Sequence, residues 1–175
     1  MNIKLLEYPT EEDWIAVKQR ALVTVGLSAK TPPAYEWKYK ILKARHSPIR
    51  RLRFSILLED IPSWVATHLV RHVHAQPYVK SQRNDRQSEY DRTKAPQDTP
   101  VNMIWDINGE ELMIIANKRL CKTTAEETRN VIKEICDAII KIDPVWNDFL
   151  VPMCKYSGEC KEMFPCYEKK GNDNK

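Results

Sequence analysis

The sequence predicts a mixed α/β (α+β) fold in which helices dominate, and three observations lead to this prediction. Several stretches place apolar residues at helical spacing. Residues 51–60, "RLRFSILLED", instead alternate and are rich in large apolar side chains, which is typical of a strand. The chain has 175 residues, of which 42% are hydrophobic, so one domain with a sizeable core is expected.

Two helices are predicted before this strand. Residues 10–23, "TEEDWIAVKQRALV", offer Thr10 as an N-cap, acidic residues in the first turn, and Trp14 and Val17 at helical spacing. Residues 33–46, "PAYEWKYKILKARH", alternate apolar residues with lysines. Both stretches indicate helices with one apolar face.

A third helix is predicted after the strand, in "IPSWVATHLVRH", so that Arg71 and His72 fall at its end. Pro77 stops this helix, and "YVKSQRND" begins a loop or a short element. Residues 88–100 are polar and contain prolines, which predicts an exposed, mobile loop.

Two further helices are predicted in the second half of the chain. Residues 108–120, "NGEELMIIANKRL", indicate a turn and a short helix. The strongest helix lies in 123–142, with Thr123 or Thr124 as its cap and an apolar stripe of Val131, Ile135, Ala138, Ile139 and Ile142. We expect residues 1–150 to form the main domain and 151–175 to be a cysteine-bearing tail of the same domain.

The charge pattern indicates small anionic ligands. The net charge is only +4, from 28 basic and 24 acidic residues, but the basic residues concentrate in 45–53 and 71–94. Acidic residues interrupt the second segment and no nucleic-acid motif encloses it, so no nucleic-acid partner is expected. No run of eighteen apolar residues occurs and the N-terminus does not resemble a signal peptide, so we expect a cytoplasmic protein without a membrane partner.

The cysteines give no metal motif. Three of the five, Cys154, Cys160 and Cys166, recur every six residues, without the CxxC pairs that zinc sites usually use and without a following histidine. We therefore predict free thiols and no metal site.

Four stretches of the chain form an ordered set of motifs. Arg71–Val73, "RHV", is followed after seven residues by Ser81 and, two positions on, by Arg83. Residues 117–129, "NKRLCKTTAEETR", contain Asn-x-Arg, seven residues and Glu-x-Arg. In residues 44–70 a Ser-Pro turn precedes the predicted strand and helix. This order and spacing resemble the flavin-dependent thymidylate synthases, which methylate dUMP with methylenetetrahydrofolate and a reduced flavin.

The resemblance spans roughly residues 3–150 and implies the fold of that family, in which helices pack around a central, mostly antiparallel sheet. It implies FAD, methylenetetrahydrofolate and NADPH as cofactors. The implied substrate is a pyrimidine deoxynucleotide monophosphate, with dUMP converted to dTMP. The resemblance also implies a homotetramer whose active sites are shared between subunits.

The same resemblance assigns roles to residues, and arginine suits them because its guanidinium binds phosphate and lies flat on rings. The implied flavin contacts are Ser47, Arg71, His72, Asn117 and Arg119. The implied nucleotide contacts are His68, Ser81, Arg83, Glu110 and Arg129. Of these, Arg129 is expected to stabilise negative charge developing on the pyrimidine, and Ser81 to act catalytically by positioning the nucleotide.

Five positions depart from the family pattern. They are Val73 for the second arginine of the triplet, His68 for a glutamine, Val79 for a glutamate, Arg50 for a glutamate and Glu110 for an arginine. A carboxylate at position 110 could accept a hydrogen bond from an exocyclic amine, so dCMP is an alternative substrate. A catalytically idle flavin or nucleotide binder that has kept the fold is a third alternative.

Overall fold

The computed structural model describes residues 1–83, 85 and 91–166. Its strands are β1 (Asn2–Glu7), β2 (Arg53–Pro62), β3 (Gln76–Val79) and β4 (Pro100–Asn108). Its α-helices are α1 (Glu11–Val23), α2 (Tyr35–Lys43), α3 (Ser63–Leu69), α4 (Gly109–Arg119), α5 (Glu126–Ile142) and α6 (Met153–Ser157). Two 3₁₀ helices span Ser47–Arg51 and Pro144–Trp146. None of the described helices is long and apolar enough to cross a membrane.

The four strands form one antiparallel sheet in the order β1-β2-β4-β3. In the central pair, Phe54 lies opposite Ile107, and Ile56 lies opposite Trp105. Because side chains alternate along a strand, these residues share one face, which is buried against the helices. The predicted mixed fold, with helices on a mostly antiparallel sheet, is confirmed.

Three tryptophans fill the core between the sheet and the helices. Trp14, Trp105 and Trp146 are each at most 1% exposed. The ring of Trp146 meets Phe54 edge-on with centroids 5.5 Å apart, and Trp14 Nε1 donates to Asp143 at 3.0 Å. This packing fixes the sheet against α1 and the chain after α5.

Gly109 sets the position of α4. A Cβ atom at this residue would lie 2.9 Å from the carbonyl oxygen of Ile49 and 3.0 Å from the ring of Trp146. Asn108 caps the helix, since its side chain accepts hydrogen bonds from the backbone N–H groups of Glu110 and Glu111, both at 3.0 Å. The start of α4 is thereby held tightly against the first 3₁₀ helix.

The predicted helices are confirmed, with one error in capping. Thr10 caps α1 in a capping box with Asp13, as expected. However, α5 begins after Ala125 without a side-chain cap, so the prediction of Thr123 or Thr124 as its cap was wrong. Thr124 instead donates from its hydroxyl to the carbonyl of Lys118 at 3.3 Å, inside the turn between α4 and α5.

Three strands lack a sequence prediction. They are β1, β4 and β3, the last of which includes Pro77 at the edge of the sheet, where a missing ladder donor is tolerated. Residues 91–99 form largely exposed turns before β4, and the rest of the predicted loop, 88–90, lies outside the described residues.

Candidate functional site

Arg119, at the end of α4, binds to the segment that follows α3. Its Nε donates a hydrogen bond to Nε2 of His72 at 3.1 Å, and its Nη2 donates to the carbonyl oxygen of His68 at 3.3 Å. Arg71, which directly precedes His72, is exposed to solvent. The fold therefore brings the two basic motifs of the sequence into contact.

The second ring nitrogen of His72 faces a buried carboxylate. Nδ1 of His72 lies 3.4 Å from Oε1 of Glu111, whose side chain is only 5% exposed. Because Nε2 accepts from Arg119, the proton of the neutral imidazole belongs on Nδ1, the nitrogen nearer to Glu111. We refer to His68, Arg71, His72, Glu111 and Arg119 as the His72 cluster.

Burial governs the charges in this cluster. Burial, together with the charge of Arg119, lowers the pKa of His72 to about 4, so its ring is uncharged at neutral pH. Burial raises the pKa of Glu111. Burial and the neighbouring charge of Arg71 lower the pKa of Arg119. Both causes disfavour the charged form of Arg119, so a bound anion would stabilise it.

His68 ties α3 to α5. Its Nδ1 lies 3.1 Å from the hydroxyl of Thr128, which is fully buried, and its ring meets Trp64 edge-on at 5.4 Å. These contacts are all within the protein. A role of His68 in nucleotide binding stays a prediction.

Asn117 is buried on α4, and its amide binds the chain after α5. Its Nδ2 donates to the carbonyl oxygens of Phe149 at 3.1 Å and Val151 at 2.7 Å, and Arg45 donates to its Oδ1. Both donor hydrogens of the amide therefore have protein acceptors. In this structure the residue holds the C-terminal segment on α4, and the flavin contact implied for it has no donor left.

Arg129 lies in the first turns of α5 and is half-buried. Its Nη1 donates to the carbonyl oxygens of Thr124 at 3.2 Å and Lys122 at 3.4 Å. The residue therefore orders the turn between α4 and α5, close to the end of α4 that carries Arg119.

Glu110 and Arg50 form an ion pair at the opposite end of α4. The Arg50 Nε donates to Oε2 of Glu110, and this contact raises the pKa of Arg50. Ser47 begins the 3₁₀ helix that carries Arg50 and is exposed. Two departures from the family pattern are thus the two partners of one interaction.

Ser81 and Arg83 follow the edge strand β3 and are exposed. Arg83 binds Asp85 through two hydrogen bonds, at 2.9 and 2.6 Å, and its backbone N–H donates to the hydroxyl of Ser81 at 3.3 Å. These bonds are local in sequence. They hold the two predicted nucleotide ligands together.

Four of the five cysteines line one cavity of about 360 Å³ around α6 and the C-terminal end of α4; they are Cys121, Cys154, Cys160 and Cys166. All described cysteines are free thiols. Within residues 1–83, 85 and 91–166, no group of three or more metal-ligating side chains is arranged to hold a metal ion.

Comparison with known proteins identifies this architecture. ThyX from Helicobacter pylori, in a structure with FAD and dUMP, has a TM-score of 0.68 at 15% identity, over 85% of this chain and 99% of that chain. A second structure of thymidylate synthase X from Helicobacter pylori, also with FAD and dUMP, has a TM-score of 0.64 at 14% identity, over 79% of this chain and 93% of that one.

A third structure is the UMP/dUMP methylase PolB from Streptomyces cacaoi with 5-Br dUMP, with a TM-score of 0.65 at 14% identity, over 86% of this chain and 96% of that one. No curated protein sequence matches the chain. Residues 84–145 match the sequence family described as Thymidylate synthase complementing protein, Thy1. The chain therefore has a ThyX-like fold, with a Thy1 sequence match over this segment.

The His72 cluster has the chemistry to bind an anion such as a diphosphate. The charges of Arg71 and Arg119 interact, and guanidinium groups match phosphate oxygens in bidentate geometry. The ring of Trp105 lies 6.0 Å from that of His72, and its Nε1 is a buried donor without a hydrogen-bond partner among the described residues. Such a donor costs free energy unless a ligand or water accepts from it.

The structure brings some of the predicted site residues together and separates others. His68, His72 and Arg119 are in contact, Arg71 directly precedes His72, and Arg129 orders the adjoining turn. By their described contacts, Asn117, Glu110 and the Ser81–Arg83 pair belong to three other places on this chain.

Sequence reasoning missed Glu111, Thr128 and Trp105 as neighbours of the site. For Glu111 a signal was present, since it lies four residues before Ile115 and eight before Arg119 and therefore shares their face of α4. A carboxylate on the apolar face of a helix indicates a buried partner.

Proposed function

We propose that the chain is a flavin-dependent methyltransferase that acts at C5 of a pyrimidine deoxynucleotide monophosphate, with dUMP as the first candidate. The proposed cofactors are FAD, methylenetetrahydrofolate and NADPH. The observation that carries the proposal is the contact of Arg119 with His72 and His68, which joins two distant motifs into one cationic cluster within a Thy1/ThyX-like fold.

The proposed work of the protein is binding and orientation. Arg71 and Arg119 hold the flavin diphosphate, while His72 holds Arg119 in place. When bound, the flavin carries the one-carbon unit and supplies the hydride. Ser81 and Arg83 position the nucleotide, and Arg129 stabilises the negative charge that develops on the pyrimidine ring.

The ion pair of Glu110 favours dUMP over dCMP. A carboxylate already bound to Arg50 is partly neutralised and has fewer lone pairs for the exocyclic amine of cytosine. One structural relative is named a UMP/dUMP methylase, so UMP belongs in the same test.

We also propose a homotetramer with shared active sites, in the cytoplasm. Leu57, Ile104 and Tyr78 form an apolar row across β2, β4 and β3 on the sheet face that points away from the helices. Tyr78 is 58% exposed. A second copy of the chain would cover this row and bring its own Ser81 and Arg83 towards a neighbouring cluster.

The first test is an absorbance titration of the purified protein with FAD, followed by anaerobic reduction and separate additions of dUMP, dCMP and UMP. We expect flavin bands to be retained and to shift with dUMP. If the bands shifted with dCMP alone, dCMP would take the place of dUMP as the proposed substrate. Flavin binding without turnover in the presence of methylenetetrahydrofolate would support the alternative of a catalytically idle flavin binder.

A matched pair of variants tests where the flavin binds. Arg71→Gln is expected to weaken FAD binding about tenfold, because a charge-assisted contact to phosphate is lost. Arg20→Gln removes an exposed arginine on α1 and is expected to leave the dissociation constant unchanged. Equal affinities for the two variants would contradict the assignment of the His72 cluster to the diphosphate.

A further inference from the structure

We propose that Glu111 is a positioning residue, which keeps the ring proton of His72 on Nδ1 and thereby directs Arg119 towards the flavin diphosphate. Glu111 does not match any motif that linked the sequence to the family. Only the contact of Arg119 with a flavin diphosphate rests on the proposed function. The contacts of Glu111 with His72 and of His72 with Arg119 lie within the chain.

Arg119 is held along one edge of its guanidinium group by two acceptors. Its Nε and Nη2 donate to His72 and to the carbonyl of His68, at 3.1 and 3.3 Å. These two acceptors fix one edge of the planar guanidinium, so the opposite edge has one direction in space. The N–H groups of that edge are the ones that a phosphate would accept from.

His72 can accept from Arg119 only if Nε2 of its ring carries no proton. A neutral imidazole has one protonated and one bare nitrogen, and only the bare nitrogen can accept from Arg119. If the proton were on Nε2, two donors would face each other and the contact would be lost. The direction of Arg119 therefore depends on the tautomer of His72.

Glu111 lies beside Nδ1, the other ring nitrogen of His72. Its Oε1 lies 3.4 Å from Nδ1 of His72 and can accept a hydrogen bond but, as a carboxylate, cannot donate one. It therefore favours the tautomer with the proton on Nδ1. The carboxylate lies on the buried face of α4, where it costs desolvation free energy that an apolar residue would avoid. The proximity of His72 accounts for a carboxylate at this buried position.

The tautomer can be measured without any flavin. The chain has 4 histidines, so long-range ¹H–¹⁵N spectra of histidine-labelled protein resolve each ring. We expect His72 to carry its proton on Nδ1 in the wild type and in Glu111→Gln, whose amide oxygen still accepts. In Glu111→Leu we expect a tautomer mixture. A wild-type ring protonated on Nε2, or an unchanged tautomer in Glu111→Leu, would overturn the inference.

The second arm measures the dissociation constant for FAD by fluorescence quenching. Glu111→Leu is expected to bind FAD about tenfold more weakly, as expected for loss of one oriented charge-assisted contact, while Glu111→Gln stays within about threefold. Glu134→Leu, the same change on an exposed position of α5, is the control and is expected to match the wild type. Thermal unfolding of each variant verifies that the cluster is tested in folded protein.

The two arms separate the inference from the proposed function. If the wild type binds FAD and Glu111→Leu binds it equally well, the inference is overturned and the function stands. If the wild type binds no FAD but the tautomer changes as expected, the proposed function fails and the control of His72 by Glu111 is supported.

Discussion

Both ring nitrogens of His72 lie next to protein groups. One accepts from Arg119 and the other faces Glu111, so the ring acts on the arginine in this structure. The sequence motif implied a direct flavin contact for this histidine. The contacts favour a role that is one step removed from the ligand.

The buried state of His72 leads to a prediction for acid stability. Its pKa falls from 6.5 to about 4 on folding, so the unfolded chain takes up the proton first as the pH is lowered. The stability of the fold is therefore expected to decrease between about pH 6.5 and pH 4, by up to about 3 kcal/mol. Urea denaturation at a series of pH values measures this loss.

A histidine variant provides the control for that experiment. His72→Asn removes the titrating ring, and we expect its stability to depend less on pH in this window. The raised pKa of Glu111 acts in the opposite direction, because it favours proton uptake by the folded state. Replacing the exposed His46 by Asn is expected to leave the slope unchanged. The same slope in wild type and His72→Asn would contradict the assignment.

At the residue scale, the sequence predicted the members of the site better than their partners. Spacing identified His72 and Arg119, which are in contact, and Arg71, which directly precedes His72. The described contacts of the Asn117 amide lie within the protein, since it donates to the carbonyl oxygens of Phe149 and Val151. The whole of α5 separates these acceptors from Asn117 in the sequence. Such distant carbonyl groups leave no local pattern that a sequence could display.

At the scale of elements, α4 carries most of the arrangement. It presents Glu111 and Arg119 to the cluster, holds the C-terminal segment through Asn117, and begins at a glycine in close contact with Ile49. A small displacement of this helix would therefore change the cluster and the C-terminal contacts together.

Gly109→Ala tests this coupling. The added methyl group would lie 2.9 Å from a backbone oxygen that cannot turn away, so we expect a loss of stability of about 1 to 3 kcal/mol. We also expect weaker FAD binding, because α4 must shift to relieve the contact. Calorimetry and FAD titration measure the two effects.

A substitution on the outer side of the same helix serves as the control. Ile114 is 38% exposed on α4, and Ile114→Ala is expected to change the melting temperature only slightly and the FAD affinity not at all. If Gly109→Ala behaved in the same way, the tight seating of α4 would not matter for the site.

The helices were predictable because their periodicity extends over three or more turns, as in α5. The shorter strands were not. The alternation of Val101, Met103, Trp105 and Ile107 is clear in β4, but prolines and polar residues surround it, and β3 has only four residues. Pairing with β2 supplies the stability that local preference lacks.

At the scale of the whole molecule, the sheet has two unlike faces. One is buried under the helices, and the other carries the row of Leu57, Ile104 and Tyr78. An apolar row across three strands is typical of a surface that a partner covers.

Ile104→Glu tests whether this face joins the subunits. A charge in the centre of a covered apolar row is costly to bury, so we expect the tetramer to dissociate while circular dichroism shows an unchanged fold. Light scattering gives the mass of the particle. Lys40→Glu, on the helix side, is the control and is expected to keep the wild-type mass. A tetramer that survived Ile104→Glu would move the interface elsewhere.

The contacts of Asn117 also set an order of events during protein synthesis. Its acceptor carbonyls are 32 and 34 residues further along the chain. At roughly 5 to 20 residues per second, a ribosome adds that length in about 2 to 7 s. Until then the amide has neither of these carbonyl groups to bind, so the contacts that hold the helix bearing Arg119 to the C-terminal segment form only after that segment has been made.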